Sequence, residues 1–314
     1  MKWKKQGLMI RPGQFEWNRT HAQNPFPEHI GGDRYKIHFA GRDKLYRSQG
    51  GYVEIDMKRP GKVLYMTEKP TLELGELGCF DDCGVMPSCL VKQGNKQYMY
   101  YTGWTQQKST PFSFFIGLAI SSDNGRTFER YSKSPVLGRT GVDHIMTGSP
   151  WVIKENRVFR MWYVSGTGWT GEAFGKQQNH YHIRYAESED GIEWKPEGVV
   201  CVDYKDESEY ALARPVVFKS RAVFDTGEEA LYRMVFSRRS FSAGYRGGYA
   251  ESTDGIHWQR NDSKLGLDVS KTGWDSEMVC YPCIFEHKDK KYLLYNGNNY
   301  GTAGCGYAKE ANQK

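Results

Sequence analysis

Short apolar segments alternate with polar turns along the whole chain, and one arrangement of them recurs. In its clearest copy, Asp81 and Asp82 lead into an apolar segment at 84–91, a polar turn at 92–97 and an aromatic segment at 98–104. Alternating polarity within such segments is typical of half-buried β-strands. Since no stretch shows helical periodicity of useful length, the pattern predicts an all-β fold.

One proline marks the same place in each copy and sets the period. These prolines stand at 25, 87, 150, 215 and 282, at intervals of 62–67 residues. A fixed period decides the architecture before any other feature. It predicts five units of about four strands, belonging to a single domain that spans 1–314. The units cover 17–79, 80–137, 143–200, 209–262 and 275–310.

Three units carry a second landmark, a serine-rich hairpin that is followed by an aromatic residue. Its turn pairs are Asn124-Gly125, Asp190-Gly191 and Asp254-Gly255. Two-residue hairpin turns require positive φ at their central positions, which Asn, Asp and Gly tolerate best. Asp190 and Asp254 are therefore predicted to form turns.

Residues 1–16 contain apolar positions but no turn pair of their own. Ring-shaped β-proteins often pair strands from opposite chain ends and so leave few free edges. We therefore expect this segment to complete the unit that begins near Tyr281. The whole pattern predicts a five-bladed β-propeller of four-stranded antiparallel blades.

Charge and composition mainly exclude classes of binding partner. Lysine and arginine number 43 against 37 acids, and this net charge of +6 is spread along the chain. No basic run is dense enough for nucleic-acid binding. The chain also lacks the roughly 20 consecutive apolar residues that span a bilayer, and its first residues lack the apolar core of an export signal. We expect neither a nucleic-acid nor a membrane partner.

The cysteines indicate the compartment. There are seven, an odd number, and most lie within strand patterns. Such residues are typically buried thiols in a reducing environment, so a cytoplasmic location is predicted. Their spacing does not favour a zinc site, and no metal or cofactor is predicted. The oligomeric state stays open.

The five units, the Ser-x-Asp-Gly hairpins and the polar residues ahead of each first strand resemble the five-bladed β-propeller glycosidases. These comprise glycoside hydrolase family 43, the invertases of family 32 and the mannoside phosphorylases of family 130. The resemblance covers nearly the whole chain and is more specific for fold than for substrate. It implies a hydrolase acting on a glycan or activated sugar, such as a sugar nucleotide. A further likeness, to propeller proteins encoded with bacterial surface-polysaccharide genes, implies no reaction.

Glycoside hydrolysis needs two carboxylates in different protonation states. The polar residues ahead of each proline are expected to meet at the propeller axis. Asp82 is the predicted base or nucleophile, and Glu209 or Glu277 is the predicted acid, its pKa raised by burial and neighbouring acids. The resemblance implies an acid in the first blade and a glutamate in the third, where this chain has Asn18, His21 and Asn24, and Asp143 with His144.

Other residues are predicted to bind substrate. Arginine suits phosphate or carboxylate groups, and tryptophan can stack on a sugar ring or simply pack in the core. Arg42 and Asp43 have the alternative of a local ion pair. The predicted substrate-binding residues are His21, Arg42, Asp43, Asp81, Trp104, Asp143, His144, Trp169, Arg214, Asp275 and Tyr281.

Two alternative functions remain open at this point. The first is a glycoside phosphorylase or glycosyl-transferring enzyme that uses the same central funnel. The second is a non-catalytic propeller that binds sugars. The second alternative is favoured by the absence of some of the acids that the resemblance implies.

Overall fold

The computed structural model describes residues 1–173, 175–224 and 227–311, and it describes side chains outside 221–230. Strands dominate its regular structure, which confirms the all-β prediction. In chain order they are β1 (Trp3–Ile10), β2 (Ala22–Gly31), β3 (Arg34–Arg42), β4 (Ser48–Asp56), β5 (Val63–Met66), β6 (Gly84–Gln93), β7 (Lys96–Gln106), β8 (Phe112–Ser121), β9 (Glu129–Arg130), β10 (Thr147–Glu155), β11 (Val158–Gly171), β12 (Gln177–Ser188), β13 (Lys195–Val202), β14 (Glu209–Phe224), β15 (Gly227–Ser240), β16 (Ala243–Ser252), β17 (Gln259–Arg260), β18 (Cys280–His287), β19 (Lys290–Asn296) and β20 (Cys305–Glu310).

Helical structure is limited to short turns. Two 3-10 turns cover Glu16–Asn18 and Asp262–Lys264, and one further helical turn covers Asn298–Gly301. None of these turns, in the part of the chain that the structure describes, has the length and hydropathy needed to cross a membrane.

The strands form five blades of four. Blade 1 contains β2–β5, blade 2 β6–β9, blade 3 β10–β13, blade 4 β14–β17, and blade 5 β18–β20 together with β1. Pairing within each blade is antiparallel. Single parallel bridges, Ser48 to Gly84 and Tyr181 to Ala211, join neighbouring blades. The predicted five-bladed β-propeller is confirmed.

Blade 5 closes the ring by combining the two ends of the chain. Strand β1 pairs with β20, with Trp3 opposite Glu310 and Lys5 opposite Ala308. This is the closure that the apolar positions of the first residues predicted. It covers an outer edge of β20 that would otherwise present unpaired backbone groups.

The predicted turn aspartates also adopt their expected role. Asp190 Oδ1 accepts hydrogen bonds from the backbone N–H groups of Ile192 and Glu193, and Asp254 Oδ1 accepts the equivalent pair. A serine hydroxyl two residues earlier donates to each carboxylate. These side chains fix the hairpins at the blade ends.

Each inner strand is interrupted at its anchor proline. The breaks in ladder register include Pro25, Pro150, Pro215 and Pro282, and in blade 2 the break falls at Ser88, directly after Pro87. Proline cannot donate a ladder hydrogen bond, and within sheets it is confined to edges and bulges. The residue just before the proline is left-handed in four blades, with φ of 54° at Asn24, 46° at Ser149, 57° at Arg214 and 55° at Tyr281. Such non-glycine strain costs about 1–3 kcal/mol and concentrates at functional sites.

Candidate functional site

A cavity of about 690 Å³ lies where the five inner strands converge. Its floor contains the residue before the anchor proline in four blades, namely Asn24, Met86, Ser149 and Tyr281. Three of these residues are the strained, left-handed ones. Strained backbone and the central cavity therefore coincide, which marks the cavity as the candidate site.

One wall of the cavity is aromatic. Trp104, Phe112 and Phe114 come from blade 2, and Trp169 comes from the long β11–β12 hairpin of blade 3. The rings of Phe112 and Phe114 stack at 4.4 Å, and Trp169 meets Phe112 edge-on at 5.2 Å. Flat, rigid apolar surfaces of this kind can pack against a sugar ring.

The other wall combines arginine with tyrosine. The guanidinium carbon of Arg239 lies 5.5 Å from the ring centre of Tyr210, 5.6 Å from that of Tyr245 and 5.7 Å from that of Tyr300. These distances are within cation–π range. Tyr300 is itself presented by a left-handed backbone, with φ of 59°.

Arg42 lies beside the same tyrosine cluster. Its Nε donates a 3.0 Å hydrogen bond to Gln23 Oε1. Burial lowers the pKa of Arg42, and the neighbouring phenol groups of Tyr281 and Tyr300 act in the opposite direction. The guanidinium nevertheless stays charged at neutral pH, because its intrinsic pKa is above 12.

The phenol groups of this wall are neutral donors. Burial raises the pKa of Tyr245 and of Tyr281 well above the ordinary value for tyrosine. Tyr181 and Tyr245 share a hydroxyl–hydroxyl hydrogen bond, and burial also raises the pKa of Tyr181. At neutral pH these groups can donate O–H bonds to a ligand, but they cannot supply a negative charge.

The charge of the cavity is one-sided. Arg42, Lys176 and Arg239 line it, and no Asp or Glu is among the lining residues that the structure describes. Nor do the described residues include a group of three or more His, Cys, Asp or Glu side chains that could hold a metal ion. The site is therefore cationic and rich in hydrogen-bond donors.

Four of the predicted site residues line this cavity: Arg42, Trp104, Trp169 and Tyr281. Arg214 does not line it. It is 1% exposed, and its guanidinium lies against the rings of Phe26 and Trp151.

The expectation that the acids ahead of the prolines meet at the axis is wrong. Asp81, Asp143 and Asp275 are buried within their own blades, and each accepts a hydrogen bond from a tyrosine 20 residues later, on the second strand. The tyrosines are Tyr101, Tyr163 and Tyr295. A cation, Arg130, Arg184 or Lys5 respectively, completes each pair. We call these acid–tyrosine–cation sets the blade clamps.

The three predicted catalytic carboxylates are not brought together either. Glu209 forms a bidentate pair with Arg260, with both N–O distances at 2.7 Å. In blade 4 it therefore corresponds to the clamp aspartates of blades 2, 3 and 5. Asp82 Oδ2 accepts the backbone N–H of Gly78 at 3.0 Å in the loop before β6. Glu277 is exposed on the surface. None of the three lines the cavity.

The remaining predicted residues also lie elsewhere. Asp43 does not pair with Arg42, since its carboxylate caps the following turn and binds Arg47 at 2.7 Å. His144 is exposed outside the cavity. His21 is buried beside the cavity, with Nδ1 at 2.8 Å from the Thr20 hydroxyl.

The burial of His21 predicts that the stability of the fold decreases at acidic pH. Burial, and secondarily the charge of Arg42, lowers the pKa of His21 to about 4, against about 6.5 in the unfolded chain. Between these values the unfolded chain binds a proton that the folded chain does not, so stability falls as the pH drops from about 6.5 to 4. The free energy of unfolding is measured in urea at pH 7 and at pH 5. Between these pH values we expect it to fall by about 1 kcal/mol less in His21→Gln than in wild type, a difference reduced by solvent screening. His144→Gln is the control, and equal losses in all three proteins would refute the prediction.

The main residues that the sequence did not identify are Arg239 and the tyrosines around it. A repeat-based signal for Arg239 exists. In blade 1, Gln23 pairs with Ala40, and Arg42 stands two residues after Ala40. In blade 4, Ala213 pairs with Ser237, and Arg239 stands two residues after Ser237. Gln23 and Ala213 both stand two residues before an anchor proline, so the two arginines occupy equivalent places in blades 1 and 4.

The fold is that of the five-bladed propeller glycoside hydrolases. A complex of BT0996 with RGII matches with a TM-score of 0.69 at 16% identity, over 98% of this chain and 92% of the other. A thermostable family-43 glycoside hydrolase matches at 0.64 with 15% identity, over 97% and 94%. A Bombyx mori GH32 β-fructofuranosidase in complex with sucrose matches at 0.62 with 13% identity, over 96% and 61%. The predicted resemblance is confirmed, and at these identities it establishes the fold alone.

Closer relatives exist in sequence. The chain is 40% identical over 309 residues to the uncharacterized Mycobacterium tuberculosis proteins Rv1502 and MT1551, covering 98% of this chain and 99% of theirs. It belongs to the same family as these mycobacterial proteins. No protein-family model matches the chain.

Proposed function

We propose that the protein binds an anionic carbohydrate, a sugar that carries a phosphate or a carboxylate, in the central cavity. The observation that carries this proposal is the one-sided charge of the lining: Arg42, Lys176 and Arg239 face the cavity without a carboxylate among the described lining residues. Arg42 and Arg239 are half-buried and Lys176 is exposed. Cations that have lost part of their hydration are stabilised by an opposite charge. A ligand that brings a negative group supplies that charge.

The two walls divide the recognition between two parts of the ligand. The planar guanidinium groups of Arg42 and Arg239 can each form paired hydrogen bonds with phosphate or carboxylate oxygens. The protonated phenols beside them add O–H donors. The aromatic wall formed by Trp104, Phe112, Phe114 and Trp169 offers apolar faces to the sugar ring. A sugar phosphate, a sugar nucleotide or a uronic acid carries both kinds of group.

The test compares ligands that differ in charge. Glucose 1-phosphate, glucuronic acid and glucose are titrated into the protein by isothermal calorimetry at two salt concentrations. We expect the phosphate or the uronate to bind at least about 30-fold more tightly than glucose, because hydrogen bonds to charged groups contribute about 1.5–3 kcal/mol. The affinity for the anion should fall as salt is added. Equal affinity for glucose and both anions would overturn the proposal.

Glycoside hydrolysis or phosphorolysis is the second candidate, and the shared glycoside hydrolase fold favours it. The two-carboxylate mechanism requires acids on both sides of the scissile bond, and the described cavity lining supplies none. Turnover of aryl glycosides and sugar nucleotides, with and without phosphate, tests this candidate. Asp82→Asn serves as the paired variant: turnover that disappears with it would restore Asp82 as a catalytic residue. Turnover that it leaves unchanged would place any chemistry elsewhere.

A further inference from the structure

Arg214 is a buried cation in the central channel, the space enclosed by the five inner strands, and it does not line the cavity. It is 1% exposed, and its guanidinium carbon lies 5.8 Å from the ring centre of Phe26 and 5.6 Å from that of Trp151. These rings belong to the inner strands of blades 1 and 3. The thiols of Cys89 and Cys283, from the inner strands of blades 2 and 5, are its electrostatic neighbours. All five inner strands therefore surround the guanidinium.

The protein leaves most of this guanidinium without partners. Among the residues that the structure describes, its one hydrogen bond is a long one, from Nη2 to the backbone oxygen of Asn24 at 3.5 Å. Nε and Nη1 have no hydrogen-bond partner in that part of the chain. Within the described residues, no Asp or Glu forms an ion pair with Arg214. Two donors without partners on a fully buried side chain are rare, because the hydration that each has lost is not replaced.

The neighbouring groups cannot supply the missing negative charge. Burial raises the pKa of Cys89 and of Cys283 to about 12 each, so both thiols are neutral at physiological pH. The Tyr281 phenol is neutral for the same reason. Arginine itself stays protonated inside proteins. A buried charge without a negative partner is destabilising, so a negative group from outside the chain would be stabilised here.

We propose that Arg214 binds a small monovalent inorganic anion, of the halide class, in the central channel of the propeller. The surroundings favour this class over phosphate or sulfate. Two aromatic rings and two thiols offer few donors beyond the guanidinium, whereas a multiply charged oxyanion needs several strong donors to replace its hydration. The left-handed backbone of Arg214, with φ of 57°, holds the side chain in the channel at a cost in strain.

This anion site is separate from the site proposed for the carbohydrate. The floor residues Asn24 and Tyr281 line the cavity, whereas Arg214 does not. A structural anion would neutralise the core of the ring, where five blades meet, and stabilise their association. The two proposals can therefore fail independently.

Bromide locates the site directly, because its anomalous scattering distinguishes it from water. Crystals soaked in sodium bromide are expected to show an anomalous peak within about 3.5 Å of Arg214 Nε or Nη1. The melting temperature should rise by about 2–4 °C when sodium bromide replaces sodium gluconate at equal ionic strength. Gluconate is a much larger anion than bromide, and equal ionic strength holds the screening constant.

Substitutions assign the effect to Arg214. Arg214→Met keeps the volume and removes the charge, so its melting temperature should not respond to bromide; Arg34→Met, at an exposed arginine, should respond as wild type does. Should Arg214→Met fail to fold, the anomalous peak in the wild-type crystal decides alone. No peak beside Arg214, with equal melting temperatures in bromide and gluconate, would overturn the proposal, as would a bromide response that persists in Arg214→Met.

Discussion

Replacing Arg239 by glutamine is expected to weaken the binding of glucose 1-phosphate or glucuronic acid about 10–100-fold, because one charge-assisted hydrogen-bond donor pair is lost. Affinity for neutral glucose should change much less. Arg42→Gln should have a similar effect, since Arg42 occupies the equivalent place in blade 1 and shares Tyr300 as a neighbour. Binding is measured by isothermal calorimetry.

The chain provides a matched control for the Arg42 variant. Arg34 lies at the opposite end of the same strand, β3, and pairs with Glu54 on the surface. Arg34→Gln removes the same chemical group far from the cavity, so anion affinity should stay within about twofold of wild type. In the double variant of Arg42 and Arg239, losses smaller than the sum would indicate that both contact one anionic group. Equal affinities for the Arg34 and Arg42 variants would contradict the assignment.

The largest effect on stability is expected from the blade clamp of blade 3. Asp143 is fully buried, accepts hydrogen bonds from Tyr163 and Ser165 at 2.9 and 2.6 Å, and pairs with Arg184 at 3.2 Å. Removing one charge of a buried pair costs about 3–5 kcal/mol, because the other charge is left without compensation. Asp143→Asn should therefore lower the free energy of unfolding by about 3 kcal/mol or more, as measured by urea denaturation.

Two further variants separate the clamp from a general effect of charge. Asp268→Asn removes an aspartate whose side chain is 81% exposed, and it should change the unfolding free energy by less than about 0.5 kcal/mol. In a double-mutant cycle, Asp143→Asn and Tyr163→Phe should be non-additive, since the two side chains share a hydrogen bond. An Asp143→Asn protein as stable as wild type would show that the acid is not structural. Its role at the site would then need to be reconsidered.

The architecture could be predicted from the sequence because its determinants are local and repeated. The anchor prolines mark the bulge of every inner strand, and the Asp190 and Asp254 turns are fixed by their own side chains. The closure by β1 could be predicted because residues 1–16 contain apolar positions but no turn that would pair them with a neighbouring strand. Each of these signals depends on a few residues near one another in the chain.

The candidate site is harder to predict, because the direction of each side chain determines which residues reach the cavity. The repeated acids were recognised, but Asp81 and Asp143 stand six or seven residues before their prolines, and there they contact the second strand of their own blade. In four of the five blades the residue immediately before the proline reaches the cavity, as Tyr281 does. In blade 4 that residue is Arg214, which does not line it. The sequence signal for Arg239 is not local, since it consists of the equivalence with Arg42 on the second strands of blades 4 and 1.

The central claim is that Arg42 and Arg239 hold the negative group of a carbohydrate inside the propeller cavity. A crystal structure of the protein with glucose 1-phosphate tests it most directly. The account predicts phosphate oxygens at about 2.7–3.2 Å from guanidinium nitrogens of both arginines, with the sugar ring directed towards Trp104 and Trp169. A phosphate bound outside the cavity, or a sugar inside it whose phosphate points away from both arginines, would contradict the account.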